Sequence, residues 1–125
     1  MGYNTDFEGK ISISPPAPAS LVERVNAFCD VEHRSLDGFG HDRGFPGIHC
    51  NWWVSADGTS IGWSGNEKSY EMEAWLPIII RKFFFDGMYK LNGVLRARGE
   101  DFNDMWRIVC KDNVVSSPRG WGEGY

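Results

Sequence analysis

Alternating hydrophobic and polar positions run along much of the chain and predict short strands. From Phe7 to Ser14, apolar or glycine positions alternate with polar ones, which is the pattern of a strand with one buried face. The same two-residue period returns from about Ile48 to Ser55 and from Thr59 to Ser64. It returns three more times near the C-terminal end, in segments 89–98, 105–111 and 114–117. The pattern therefore predicts six strands.

Two other segments have the 3.6-residue period of amphipathic helices. The first follows a proline-rich stretch, and Ser20 with Glu23 three residues later has the spacing of a capping box at its start. The second runs from about Ser69 to Phe85 and carries a wide apolar stripe. Pro77 lies within it and should kink the helix, because proline removes a helical hydrogen bond.

Two dipeptides mark tight turns and fix which side chains share a face. Asp57-Gly58 suits a two-residue type I′ hairpin, and both residues of Asp112-Asn113 tolerate positive φ. With the first turn in place, Trp52 and Trp63 face the core. Trp53 then lies opposite Gly62 on the other face of the sheet.

The predicted order of elements is β-α-β-β-α-β-β-β, which indicates an α+β fold. We expect one domain over residues 1–125, with a mainly antiparallel sheet and two helices packed on one face of it. Its other face is left open, as antiparallel sheets allow. Outside the elements we expect a loose N-terminus (1–5), a glycine-rich loop (35–47) and a C-terminal tail (118–125).

Composition limits the classes of function. The chain has 125 residues and a formal net charge of −4, which counts against a dedicated duplex-binding domain. Its three cysteines are widely spaced and do not form a disulfide framework, which favours a reducing compartment. No leader peptide or bilayer-length apolar run is visible, so we expect a cytoplasmic protein without a membrane partner. No motif indicates a cofactor.

The open face of the predicted sheet carries the most distinctive chemistry. Arginines beside an aromatic ring can anchor a protein interface, and they can also hold phosphates and stack bases. A solvated face whose arginines pair with Glu8 or other acids has the same composition. We expect a protein partner, with nucleic acid or a nucleotide as the alternative ligand. The predicted binding residues are Trp53, Arg96, Arg98, Arg107 and Lys111, with Arg43 of the glycine-rich loop as a secondary contact.

Two other groups of residues are candidate sites. The cysteines and histidines between positions 29 and 50 match zinc-ligand spacing only loosely, so no metal site is predicted. Carboxylates at 100, 101 and 104 could work with a histidine in acid–base chemistry, which keeps a small enzyme as a third hypothesis. The residues concerned are Cys29, His33, His41, His49 and Cys50 for the metal, and His41 or His49 with Glu100, Asp101 or Asp104 for the enzyme.

Several short motifs, each present once, follow one another over most of the chain. They are Gly2-Tyr3-x-Thr5-x-Phe7-x-Gly9, Asp57-Gly58-Thr59, Trp63-x-Gly65-x-Glu67-Lys68-x-Tyr70, Leu91-Asn92-Gly93, Gly99-Glu100-Asp101-x-x-Asp104-x-Trp106-Arg107-Ile108-Val109 and Asp112-Asn113-x-Val115. This combination resembles a family of small proteins of bacteria and their phages to which no activity is assigned. The resemblance implies a phage- or prophage-type accessory factor and supplies no catalytic residues.

Overall fold

The structure, a computed structural model, describes residues 4–35, 40, 44–66, 69–84 and 88–120. Within them the strands and helices follow the predicted order, and the α+β class is confirmed. The elements are β1 (Thr5–Ser14), α1 (Ala19–Asp30), β2 (Trp52–Val54), β3 (Ser60–Trp63), α2 (Met72–Phe83), β4 (Lys90–Gly99), β5 (Met105–Lys111) and β6 (Val114–Ser116).

The six strands form one antiparallel sheet in the order β2-β3-β1-β4-β5-β6. The N-terminal strand β1 lies in the middle, and it pairs with β4 over ten residues, from Thr5 opposite Gly99 to Ser14 opposite Lys90. Its other side pairs with β3 through Ile11 opposite Ile61. Residues 118–120 of the predicted tail continue the sheet, because Arg119 forms an antiparallel bridge with Trp106 of β5.

The hydrophobic core lies between one face of this sheet and the two helices. Side chains alternate along each strand, so every second residue points into the core. The long strands β1 and β4 follow this rule, since their inward apolar residues are buried and their outward residues are exposed or half-buried. The largest fully buried side chains are Trp52, Trp75, Phe84, Ile11, Ile61, Met72, Leu76, Ile79, Leu91, Leu95 and Ile108.

Helix α1 also closes one edge of the sheet. An edge strand leaves every second backbone N–H and C=O group without a strand partner. At Val54 of the edge strand β2, the Asn26 side chain meets both groups. Its Oδ1 accepts from the Val54 N–H at 2.8 Å, and its Nδ2 donates to the Val54 carbonyl at 3.0 Å. The Asn26 amide thus makes the two hydrogen bonds with Val54 that a neighbouring strand would otherwise make.

The predicted start of each helix is wrong. Helix α1 begins at Ala19 after Pro18, and no side chain caps it, so Ser20 lies inside the first turn instead of preceding it. Helix α2 begins at Met72, three residues later than predicted, because Glu71 takes a left-handed conformation with φ of 60°. That conformation is incompatible with a right-handed helix, so α2 cannot extend further back.

The second strand is shorter than predicted for the same reason. Asn51 has φ of 65°, and this left-handed residue prevents β2 from extending back to Ile48. Cys50 is nevertheless fully buried.

The two tight turns differ in type. Asp112 and Asn113 both have positive φ, as the prediction for that turn required. In the first turn only Gly58 is left-handed, and its N–H donates to the Ser55 carbonyl at 2.9 Å. The prediction of a two-residue type I′ turn is therefore wrong. The predicted register of β2 against β3 is nevertheless confirmed, with Trp52 opposite Trp63 and Trp53 opposite Gly62.

An aromatic cluster anchors the segment that leads from α1 to β2. The ring of His33 lies 4.6 Å from Phe28, 4.7 Å from Phe45 and 5.2 Å from Trp75, measured between centroids. Nε2 of His33 donates to the Phe28 carbonyl at 2.8 Å, and the His33 N–H donates to the Ile48 carbonyl. The described ends of the glycine-rich loop are thus fixed on the core. Residues 36–39 and 41–43 of that loop lie outside the described part of the chain.

Replacing Gly58 with alanine should destabilise the protein strongly. A Cβ atom there would lie 2.0 Å from the Ala17 carbonyl oxygen, and φ is +74°. Backbone displacement and left-handed strain together should cost about 3 kcal/mol or more of the free energy of unfolding, measured by urea denaturation. Gly65→Ala is the matched control, because φ is +90° there but nothing lies within 4 Å. It should cost only about 1 kcal/mol. Equal losses would show that the contact with Ala17 contributes nothing.

The same turn should give the protein an acid-sensitive contribution to stability. Hydrogen bonds from the Thr59 and Ser55 hydroxyls and the Thr59 N–H lower the pKa of Asp57 from 3.8 to about 2. A depressed carboxyl pKa stabilises the folded state above the unfolded pKa, and this contribution disappears as pH falls from about 4 to about 2. The melting temperature of the wild type should therefore exceed that of Asp57→Asn at pH 6, and the difference should shrink over this window. A difference that does not change with pH would contradict the assignment.

Candidate functional site

The five predicted binding residues of the sheet all lie on its open face. Strand register places Arg96 opposite Arg107, and Trp53 opposite Gly62, on the side away from the helices. Among the residues that the structure describes, no outward position of the six strands is buried. We call this surface the outer face. The described residues place no helix over it.

The outer face does not gather these residues into one cluster. Trp53 stands on edge strand β2, three strand spacings from Arg96 on β4, a separation of about 14 Å. Lys111 stands four residues along β5 from Arg107, which is about 13 Å. The sequence predicts that these residues share a face. The distance between Trp53 and Arg96 cannot be predicted without the order of strands in the sheet.

The central arginines alternate with carboxylates across the strands. Glu8 of β1 lies opposite Arg96, and Asp6 lies opposite Arg98. These four side chains, with Phe7, line a shallow pocket of about 200 Å³. Cross-strand pairs of opposite charge stabilise a sheet modestly and leave a surface of mixed sign. Glu8 and Asp6 were not among the predicted binding residues.

Arg107 holds the C-terminal segment in place. Its Nη1 donates to the carbonyls of Gly120 at 2.7 Å and Arg119 at 3.3 Å. Backbone bonds run in parallel, from the Arg107 N–H to the Pro118 carbonyl and from the Gly120 N–H to the Met105 carbonyl. The Arg107 guanidinium therefore has a structural role, and fewer of its N–H groups are left to bind a partner.

Trp53 stands beside a polar pocket at the edge of the outer face. Its side chain is 45% exposed, which is large for an indole in a strand. The pocket measures about 290 Å³ and is lined by Trp53, Asn51, Ser64, Asn66, Cys29, Asp30 and Trp52. The Asn51 amide is buried, and its hydrogen-bond contacts with described residues are long, at 3.4 Å, to the His49 carbonyl and to Asn66. The pocket thus offers an aromatic surface beside amide and hydroxyl groups.

A second, more apolar pocket was missed by sequence reasoning. It measures about 380 Å³, and its walls include Asn51, Glu71, Tyr70, His49 and Ile48. Asn51 and Glu71 are both left-handed, and non-glycine residues in that conformation gather at functional sites. Asparagine visits this conformation more readily than most residues, so Asn51 offered a weak signal, whereas Glu71 offered none.

Of the residues considered for a metal or an enzyme site, Cys29 and Cys50 lie together in the core, with their sulfur atoms 3.1 Å apart. Arg43 and His41 lie outside the described residues. The acidic turn is held by the structure around it, because Arg119 Nη2 lies 3.3 Å from Asp104 Oδ1 and the Gly99 N–H donates to the Asp104 carbonyl. Within the described ranges, no three His, Cys, Asp or Glu side chains are placed to hold a metal ion.

None of the helices in the described part of the chain has the length and apolarity needed to cross a membrane.

Comparison of the chain with family models, with curated proteins and with solved structures finds no match.

Proposed function

We propose that this protein is a non-enzymatic binding protein that contacts another protein through the outer face of its sheet. The observation that carries the proposal is the outer face itself, which no helix of the described residues covers, with an exposed indole at one edge and alternating charges at its centre. Protein interfaces are enriched in tryptophan and arginine relative to the rest of the surface.

The pattern of charge favours a protein partner over nucleic acid. Asp6 and Glu8 lie directly beside Arg98 and Arg96 and would repel the phosphates that these arginines attract. A protein surface can place charges opposite both the arginines and the carboxylates, and such complementarity gives specificity and orientation. The net charge of −4 for the whole chain agrees with this choice.

Trp53 is the residue that we expect to contribute most to the affinity. Interface energy concentrates in a few aromatic and arginine side chains that fill pockets on the partner. Trp53 is 45% exposed before binding, so much of its ring area remains to be buried by a partner. Arg98 and Lys111 are also exposed, and exposed charges of this kind steer association more than they hold the complex.

The biological setting that we propose is an accessory role in a phage or prophage. The support for it is the motif series described above, including Asp112-Asn113-x-Val115, which resembles that family of bacterial and phage proteins.

Nucleic acid is the second candidate, and an excess of cations on the outer face favours it. The outward cations of the described strands are Lys10, Lys90, Arg96, Arg98, Arg107 and Lys111, against the carboxylates Asp6 and Glu8. A ligand that engages this face through phosphates would bind with an affinity that falls steeply with salt.

Replacing Trp53 with alanine should abolish capture of the partner while leaving the fold intact. We expect tagged wild-type protein to retain one protein in stoichiometric amount from cells of the encoding organism, with or without nuclease. With that partner purified, Trp53→Ala should weaken the measured Kd by at least about 30-fold. Phe102→Ala is the matched control, because Phe102 is an exposed ring, 88% accessible, in the β4–β5 turn. It should change the Kd by less than about threefold.

Three outcomes would contradict the proposal. Equal effects of Trp53→Ala and Phe102→Ala would show that the outer face is not the interface. Loss of the captured protein on nuclease treatment, with a steep salt dependence that Arg98→Ala reduces, would favour the nucleic-acid alternative. Failure of the wild type to retain a stoichiometric protein would remove the support for a protein partner altogether.

A further inference from the structure

Two cysteines that are far apart in the sequence meet in the core beside the Trp53 pocket. Cys29 lies in the last turn of α1, and Cys50 immediately precedes the left-handed residue Asn51. Their sulfur atoms are 3.1 Å apart and both thiols are free. A disulfide bond needs the sulfurs about 1 Å closer, a movement within the reach of small side-chain rotations.

We propose that Cys29 and Cys50 form a site of reversible disulfide formation, oxidised by a peroxide or by a low-molecular-weight disulfide. The inference is independent of the function proposed above. Sequence reasoning set these residues aside, because 20 intervening positions hide a contact that only the fold creates.

Access determines the order of the chemistry. Cys29 is 8% exposed and lines the 290 Å³ pocket, whereas Cys50 is fully buried behind it. An oxidant therefore reaches Cys29 first. With hydrogen peroxide, the Cys29 sulfur attacks the O–O bond and becomes a sulfenic acid, with release of one water. The Cys50 sulfur then attacks the Cys29 sulfur, and the hydroxyl group leaves with the Cys50 proton as a second water. The two sulfurs together lose two electrons, which reduce the peroxide.

The third cysteine provides an internal control. Cys110 is also buried, and its sulfur contacts the Leu91 carbonyl at 3.3 Å. Burial raises its pKa to about 11. The hydrogen bond with Cys50 and burial likewise raise the pKa of the Cys29 thiol above its ordinary value. Neither thiol is acidic, so proximity and the pocket are what distinguish the pair from Cys110. The reaction should accordingly be slow and need sustained oxidant.

The disulfide would tie the end of α1 to the start of β2. It closes a loop between residues 29 and 50, and it reinforces the contact that the Asn26 side chain already makes with Val54. A cross-link over a loop of this length restricts the unfolded chain, so the oxidised protein should melt on the order of 10 °C higher than the reduced one.

The experiment uses the fully reduced protein, treated with hydrogen peroxide or with glutathione disulfide and then analysed without reductant. We expect a monomer that has lost two hydrogen atoms, and thiol titration in denaturant should fall from three groups to one. Peptide mapping of the wild type should find Cys29 joined to Cys50. The melting temperature should rise, and dithiothreitol should reverse every change.

Variants assign the roles. Cys110→Ser should oxidise like the wild type, whereas Cys29→Ser and Cys50→Ser should form no internal disulfide. In Cys50→Ser, a sulfenic-acid probe such as dimedone should label Cys29. The proposal is overturned if the native wild type keeps three thiols under oxidant, or if mapping joins either cysteine to Cys110 or to a second molecule. Mapping on the wild type decides the matter even where a serine variant fails to fold.

Discussion

The register between the two long strands β1 and β4 is the constraint on which the rest of the structure depends. A shift of one residue would turn every inward side chain outward, because the side-chain period of a strand is two. Two glycines hold the strands in place: a Cβ on Gly9 would lie 2.5 Å from the Val94 carbonyl oxygen, and one on Gly93 would lie 2.6 Å from the Lys10 carbonyl oxygen. In this alignment both glycines lie where the strands approach most closely, and the register that fixes the core also fixes the outer face.

Features governed by local periodicity could be predicted from the sequence. The alternation from Phe7 to Ser14 predicted β1 and its buried face, and the turn at Asp112-Asn113 predicted two positive φ angles. Features governed by tertiary contacts could not. The helix starts were misplaced because Glu71 takes a left-handed conformation and Ser20 lies inside the first turn of α1, and neither residue type indicates this.

The same division applies to the candidate site. The alternation of side chains along each strand predicted that Trp53 shares a face with the arginines, and the observed register agrees. That alternation could not show that β1 lies between β3 and β4, and so it could not show that Glu8 lies opposite Arg96 and Asp6 opposite Arg98. Nor could it show that Arg107 binds the carbonyls of residues 119 and 120, since the predicted tail carried no strand pattern. The sign of each charge can be taken from the sequence, whereas the pairing of charges depends on the fold.

The two edges of the sheet bear on how it can meet a partner. Both edge strands, β2 and β6, are only three residues long, and short edges are poor templates for an added strand. On β2 the Asn26 amide already occupies the hydrogen-bonding groups of Val54, so a peptide would have to displace it. Strand addition would therefore gain few backbone bonds at either edge. Contact through side chains on the outer face demands no such displacement, and for that reason we assign the interface to the face instead of to an edge.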